Sequence, residues 1–212
     1  MNTRPQSRPE EIANSISHGL AGMLALACAP FLVNHVALRG PSAAVVGAII
    51  FSITMVMLYF TSALYHGLPE CRAKQVCAKL DHGIIYAFIA GTYTPFSLGV
   101  LSGIWGWMLF GTVWSIALFG ITLKVLGRLS HPLWSTGLYL LMGWLVVVAA
   151  VPLFERMPVS GLLWLLAGGL AYTAGVAFYL NDGRLRFGHF VWHLFVMAGT
   201  GCHFVAVMFY SI

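Results

Sequence analysis

Charge is what this sequence has least of. Asp, Glu, Lys and Arg together make up 8% of its 212 residues, 6 acidic and 11 basic, against about 25% in soluble domains. So few charges cannot cover the surface of a water-soluble fold of this length. That excludes an ordinary cytosolic enzyme, a disordered chain and a nucleic-acid reader. The net charge of +5 does not point to a polyanion partner either, because the basic residues are scattered singly or in pairs. Cysteine is scarce as well. Cys28, Cys71, Cys77 and Cys202 lack the paired spacing of a zinc site and do not form a disulfide framework. Cys71 and Cys77 are expected in a cytoplasmic loop, where thiols stay reduced, and Cys28 and Cys202 inside apolar spans as packing residues. What the chain has in quantity is apolar side chains, 59% of the total. The class this implies is an integral membrane protein.

Stretches without charge give the number of crossings. They run over 12–38, 40–69, 82–123, 129–154, 157–181 and 187–212. A helical crossing takes about 20 residues, so five of these stretches hold one crossing each. The stretch 82–123 would make a helix about 63 Å long, twice the hydrocarbon thickness. It must turn back, and the segment from Ser97-Leu98-Gly99 to Leu101-Ser102-Gly103 supplies the breakers. The expectation is an all-α bundle of seven transmembrane helices in one domain, residues 1–212, with spans near 17–37, 43–66, 81–98, 105–124, 134–153, 160–180 and 188–210. Strands of a membrane barrel are excluded because the stretches are continuously apolar rather than alternating. The first span is expected to remain uncleaved, since Glu10, Glu11, Asn14 and His18 interrupt the pattern of a signal peptide.

With the N-terminus inside, nine basic residues (Arg4, Arg8, Arg72, Lys74, Lys79, Lys124, Arg128, Arg184 and Arg186) fall on the inner side. Arg39 and Arg156 fall outside. The bias on short loops predicts a cytoplasmic N-terminus and an external C-terminus.

Polar residues inside such a bundle are costly unless partnered, and they carry the functional information. His189 and His193 are spaced i, i+4 on one helical face. That spacing suits a single metal ion, or two histidines hydrogen-bonded within the bundle, and spacing alone does not choose. Ser62 and His66 repeat the i, i+4 pattern at the end of the second span, and Asp81 stands where the third span begins. Glu11, Asn14 and His18 share one side of the first helix, with about 20° between Glu11 and His18. By the orientation above, all eight lie at the cytoplasmic membrane level, and the opposite level has nothing comparable. Three histidines with an open fourth position are the arrangement of a catalytic rather than a closed structural zinc site. His35 and His131 read as interfacial. His82 reads as hydrogen-bonded or interfacial rather than a ligand, and His203, about 15 Å along the axis from His193, as a partnered intramembrane histidine.

The pattern resembles the bacterial hemolysin III proteins, within the progestin and adipoQ receptor family that includes the adiponectin receptors. The carriers are Glu11-x-x-Asn14-x-x-x-His18, Ser62-x-x-x-His66, Lys79-Leu80-Asp81 running into Gly91-Thr92-Tyr93-Thr94-Pro95-Phe96, and His189-x-x-x-His193 followed by His203-Phe204. The resemblance implies Zn2+ held by His66, His189 and His193, with Asp81 and Ser62 beside the metal as the catalytic pair. Glu11, Asn14 and His18 are expected as a supporting polar cluster. A wider kinship with alkaline ceramidases implies hydrolysis of an amide- or ester-linked acyl chain of a membrane lipid, in the bacterial cytoplasmic (inner) membrane. A regulator of membrane lipid state without turnover is the alternative, and a cytolytic role is a third. No protein hormone is expected as a partner.

Overall fold

The computed structural model describes residues 4–129 and 131–212. The described residues form α1 (Arg8–Ala37), α2 (Ser42–Gly67), α3 (Arg72–Leu98), α4 (Gly103–Val125), α5 (Pro132–Trp144), a 3₁₀ turn (Leu145–Ala149), α6 (Ala150–Arg156), α7 (Val159–Leu180) and α8 (Gly188–Tyr210). No strand occurs among them. Six segments are long and apolar enough to cross a membrane: α1, α2, α4, the unit Pro132–Arg156, α7 and α8. α3 has the length, but its first turns carry Arg72, Lys74, Lys79 and Asp81.

Two helices begin well before the apolar stretches do. α1 starts at Arg8 because Ser7 and Glu10 close a capping box and a proline opens the first turn, which satisfies backbone donors that a free helix end leaves orphaned. α3 starts at Arg72, nine residues ahead of the expected span. This corrects the loop placement of Cys77, which is buried on α3, while Cys71 caps that helix. The reason is that helix formation needs only an amphipathic face against a neighbour, and Lys74 and Cys77 turn inward.

The expected single span 134–153 is interrupted where the Tyr93 hydroxyl of α3 meets it. Its hydroxyl stands within 2.8 Å of the Met142 carbonyl and 2.7 Å of the Gly143 carbonyl, and it accepts the Val146 N–H at 2.9 Å. In an unbroken helix Val146 N–H would bond Met142. A side chain inserted into that ladder breaks it, and the chain passes through the 3₁₀ turn before α6.

α1 packs on α2, α2 on α3, α3 on α4, and α7 on α8, and α8 returns to α1. Close approach depends on small residues. A Cβ on Gly47 would lie 2.7 Å from the Pro95 Cα, and one on Gly175 would lie 2.7 Å from Phe195 Cβ. The interior is filled by Leu32, Phe51, Tyr86, Leu101, Met142 and Val113. Outward faces are apolar too: Leu20, Leu24 and Phe31 on α1 are 66%, 66% and 72% exposed, the inverse of a soluble helix and the surface a lipid environment accepts. The expected reversal near 99–102 is present. There Val100 N–H donates to Ser211 at 3.1 Å and the Arg156 guanidinium donates to the Leu101 carbonyl at 2.6 Å.

Candidate metal centre

The start of α1, the end of α2 and the starts of α3 and α8 converge at one end of the bundle. There His66, His189 and His193 each bring one ring nitrogen to within 4.8 Å of the others. His66 and His193 are buried, His189 half-buried. The ring centroids are 5.0 Å apart for His66–His189, 5.1 Å for His66–His193 and 4.8 Å for His189–His193.

Each ring has its Nδ1 tied to an oxygen. His66 Nδ1 donates to Glu11 Oε2 at 2.6 Å, and Lys74 Nζ holds the other carboxylate oxygen at 2.8 Å. His189 Nδ1 donates to Asp182 Oδ2 at 2.9 Å. Ser17 gives its hydroxyl proton to the Asn14 carbonyl at 2.9 Å, so its oxygen is left to accept from His193 Nδ1 at 3.3 Å. With Nδ1 protonated, a neutral imidazole carries its lone pair on Nε2. The three Nε2 atoms are therefore acceptors, and that of His66 is buried with no hydrogen-bond partner among the described residues. Histidines oriented through Nδ1 by carboxylate or hydroxyl oxygens are the usual supports of a metal site. The donor set fits a borderline-soft divalent ion such as zinc.

The turn before α8 is braced from the N-terminus. Glu10 is 3% exposed. Its carboxylate accepts from Arg4 at 2.6 and 2.8 Å, from the Ser7 N–H and hydroxyl at 2.9 and 2.6 Å, and from the Phe187 N–H at 2.7 Å. Phe187 has the left-handed φ of 59°, and its aimed N–H offsets that strain. His189 follows two residues later.

Of the other expected site residues, Ser62 is buried one turn before His66, and Asp81 is half-buried near the start of α3. Neither forms a hydrogen bond to the three histidines among the described residues, and the Asp81 carboxylate lies outside the 4.8 Å set. His18 stacks on His193 with centroids 3.5 Å apart and planes at 7°, and Asn14 is fully buried beside it. Outside the centre, His82 Nδ1 bonds the Ala78 carbonyl at 2.6 Å and His35 lies 2.9 Å from the Arg39 guanidinium. Lys74, Asp182 and Ser17 were not legible as site residues. Lys74 read only as one of the inner basic residues and Asp182 as the charge that ends the stretch 157–181, and only the seven-residue interval from Asp182 to His189 across a turn hinted at pairing.

A family model described as Haemolysin-III related matches residues 6–204. Hemolysin-3 of Bacillus cereus is 39% identical over 212 residues, covering 100% of this chain and 96% of that one. The Hemolysin-3 homolog of Bacillus subtilis (strain 168) is 39% identical over 203 residues, 96% of this chain and 95% of the relative. The human monocyte to macrophage differentiation factor is 28% identical over 170 residues, 76% and 68% of the two chains. The chain is thus a multi-pass membrane protein that belongs to the haemolysin-III-related family.

Proposed function

We propose that this chain is a zinc-dependent hydrolase acting on an amide- or ester-linked acyl chain of a membrane lipid. It crosses the bacterial cytoplasmic membrane seven times, α3 included, with the N-terminus inside. The single observation that carries the reading is the set of three histidines whose Nδ1 atoms are held by Glu11, Asp182 and Ser17. Zinc, held by His66, His189 and His193, would supply a Lewis acid and lower the pKa of a bound water toward about 7. The chain's own residues do the rest. Glu11 and Asp182 hold two imidazoles in the ligating tautomer, and Lys74 balances the Glu11 charge. Asp81 takes the proton of the attacking water. Ser62 donates to the oxygen on which charge develops.

A second reading is a metal-stabilised regulator of membrane lipid state without turnover. It is favoured by Asp81, which makes no hydrogen bond to the three histidines. A role in cytolysis rests only on the printed names of the family and of its Bacillus relatives. Zinc stoichiometry together with acyl release from a panel of lipid amides and esters tests the choice. Release by the wild type but not by Asp81→Asn supports the hydrolase. No release across the panel from a zinc-loaded protein supports the regulator.

A further inference from the structure

At the end of the bundle that carries the three histidines, a recess of about 200 Å³ opens between α3 and the turn that follows α4. Ala78, Lys79, His82, Lys124, Gly127 and Leu129 line it. Local bonding holds its two walls. Gly127 N–H donates to the Lys124 carbonyl at 3.1 Å and Arg128 N–H to the Leu123 carbonyl at 2.9 Å, the pair of bonds that closes a helix on a left-handed residue. Gly127 is that residue, with φ 69°, and the chain folds back so that Leu129 packs on the core. On α3, His82 Nδ1 donates to the Ala78 carbonyl at 2.6 Å, and the Tyr139 hydroxyl donates to the His82 carbonyl at 2.8 Å. The His82 ring lies 6.5 Å from that of Tyr65, the residue before His66, which sets the depth of the recess.

Neither lysine of the recess pairs with a carboxylate among the described residues. Of the chain's 6 acidic residues, Glu10 pairs with Arg4, Glu11 with His66 and Lys74, Glu70 with Lys74, and Asp182 with His189. Glu155 adjoins Arg156, which is held at the reversal beyond the other end of α3. Asp81 does not line the recess and lies about 100° round α3 from the middle of Ala78, Lys79 and His82. Lys124 is half-buried, and a charge drawn from water without a partner is costly. We propose that the recess binds the phosphate headgroup of an anionic phospholipid of the phosphatidylglycerol kind, with Lys79 and Lys124 on the phosphate oxygens. Basic pockets between membrane helices take such headgroups. The volume holds several waters of about 30 Å³ each but is smaller than the roughly 300 Å³ needed to enclose a whole small molecule, so the acyl chains stay outside. Leu80, Val125 and Leu126, next to the lining residues in sequence, are each more than half exposed and offer those chains an apolar surface. The walls of the recess are themselves mostly carbon, which suits an amphiphile better than a free phosphate. In the orientation proposed above the lipid belongs to the cytoplasmic leaflet; its binding does not depend on the metal.

The test uses the full chain in dodecyl maltoside, with bound lipid counted by native mass spectrometry and folding followed by melting temperature. Dioleoyl phosphatidylglycerol is expected to be retained in preference to dioleoyl phosphatidylcholine, whose phosphate already carries its own cation. Lys79→Gln and Lys124→Gln should each weaken retention about fivefold, near what one basic side chain contributes beside anionic lipid. Arg72→Gln removes an exposed charge from the same helix outside the recess and should leave retention unchanged. Ala78→Leu fills the recess, keeps every charge, and should lower retention by at least as much as either lysine variant. Equal weakening by Arg72→Gln, or full retention by a folded Ala78→Leu, overturns the proposal, since the lipid then answers only the summed surface charge. If Ala78→Leu does not fold, the contrast between Lys79→Gln and Arg72→Gln decides alone. Displacement of the lipid by equimolar glycerol 3-phosphate overturns the lipid assignment and leaves a site for a soluble phosphate.

Discussion

α8 carries buried or half-buried histidines in both halves, and their surroundings are opposite. At its start His189 and His193 meet His66 from another helix, and an oxygen fixes the Nδ1 of every ring. Ten residues beyond His193, His203 is half-buried, but its Nε2 stands 3.3 Å from the Leu165 carbonyl and its ring packs edge-on to Tyr172 at 5.4 Å. No other His, Cys, Asp or Glu joins it in a metal-holding group among the described residues. Burial alone therefore does not make a ligand. A site arises where several helices deliver lone pairs to one point and the opposite nitrogens are already engaged.

The largest expected effect breaks or upholds that contrast directly. Purified protein should hold about one zinc per chain. His66→Ala, His189→Ala and His193→Ala should each remove most of it, because two imidazoles are a poor set for zinc, while His203→Ala should leave the content unchanged. Elemental analysis of the four variants decides the matter, and equal loss from His203→Ala would erase the distinction between the halves of α8.

Next in size is a loss of turnover without loss of metal. Asp81 lies outside the ligand set, so Asp81→Asn should keep zinc. An amide cannot accept the proton at attack, and a positioned general base contributes about 10²–10⁴-fold. Acyl release normalised to zinc content measures this. A fall in zinc and melting temperature together would instead assign the carboxylate to charge balance.

How much of this was legible in the residues follows from what periodicity can encode. The i, i+4 pair His189/His193 and the apolar stretches are local, so ligands on one helix and the approximate spans could be read directly. The membership of His66 came from a resemblance, and the structure brings it to the other two. Contacts across helices carry no local pattern, so Lys74 and the Tyr93 insertion that divides 134–153 were illegible. Asp182 was illegible for another reason: a turn between it and His189 hides the shared face.

The supports of the imidazoles give a smaller effect. Removing a group that orients a ligating histidine lowers metal affinity by about 10–100-fold. Asp182→Asn should weaken zinc in that range while keeping full occupancy at saturating metal, as measured by competition with a chromogenic chelator. Glu11→Gln should do the same and, in addition, leave Lys74 with the exposed Glu70 at 3.2 Å as its one carboxylate partner among the described residues. An affinity unchanged in both variants would mean that the three rings are held by packing alone.

The smallest expected effect lies at the far end of α3, away from the histidines. Tyr93→Phe removes the hydroxyl that stands between Met142 and Val146. Besides the Gly143 carbonyl, the Met142 carbonyl and the Val146 N–H lose their partner, which for fully buried groups would cost about 1–3 kcal/mol each. They are, however, the two groups an unbroken helix would pair, so the ladder can close over the missing oxygen and recover most of that cost. The net loss should be about 1 kcal/mol, or about 2–4 °C in melting temperature for a chain of this size, with zinc content unchanged. Amide exchange at Val146 separates the two explanations of the 3₁₀ turn. Slower exchange in Tyr93→Phe shows that the helix has straightened and that the tyrosine imposed the break. Faster exchange shows a turn that persists with its donor exposed, so that the break belongs to the Leu145–Ala149 segment itself.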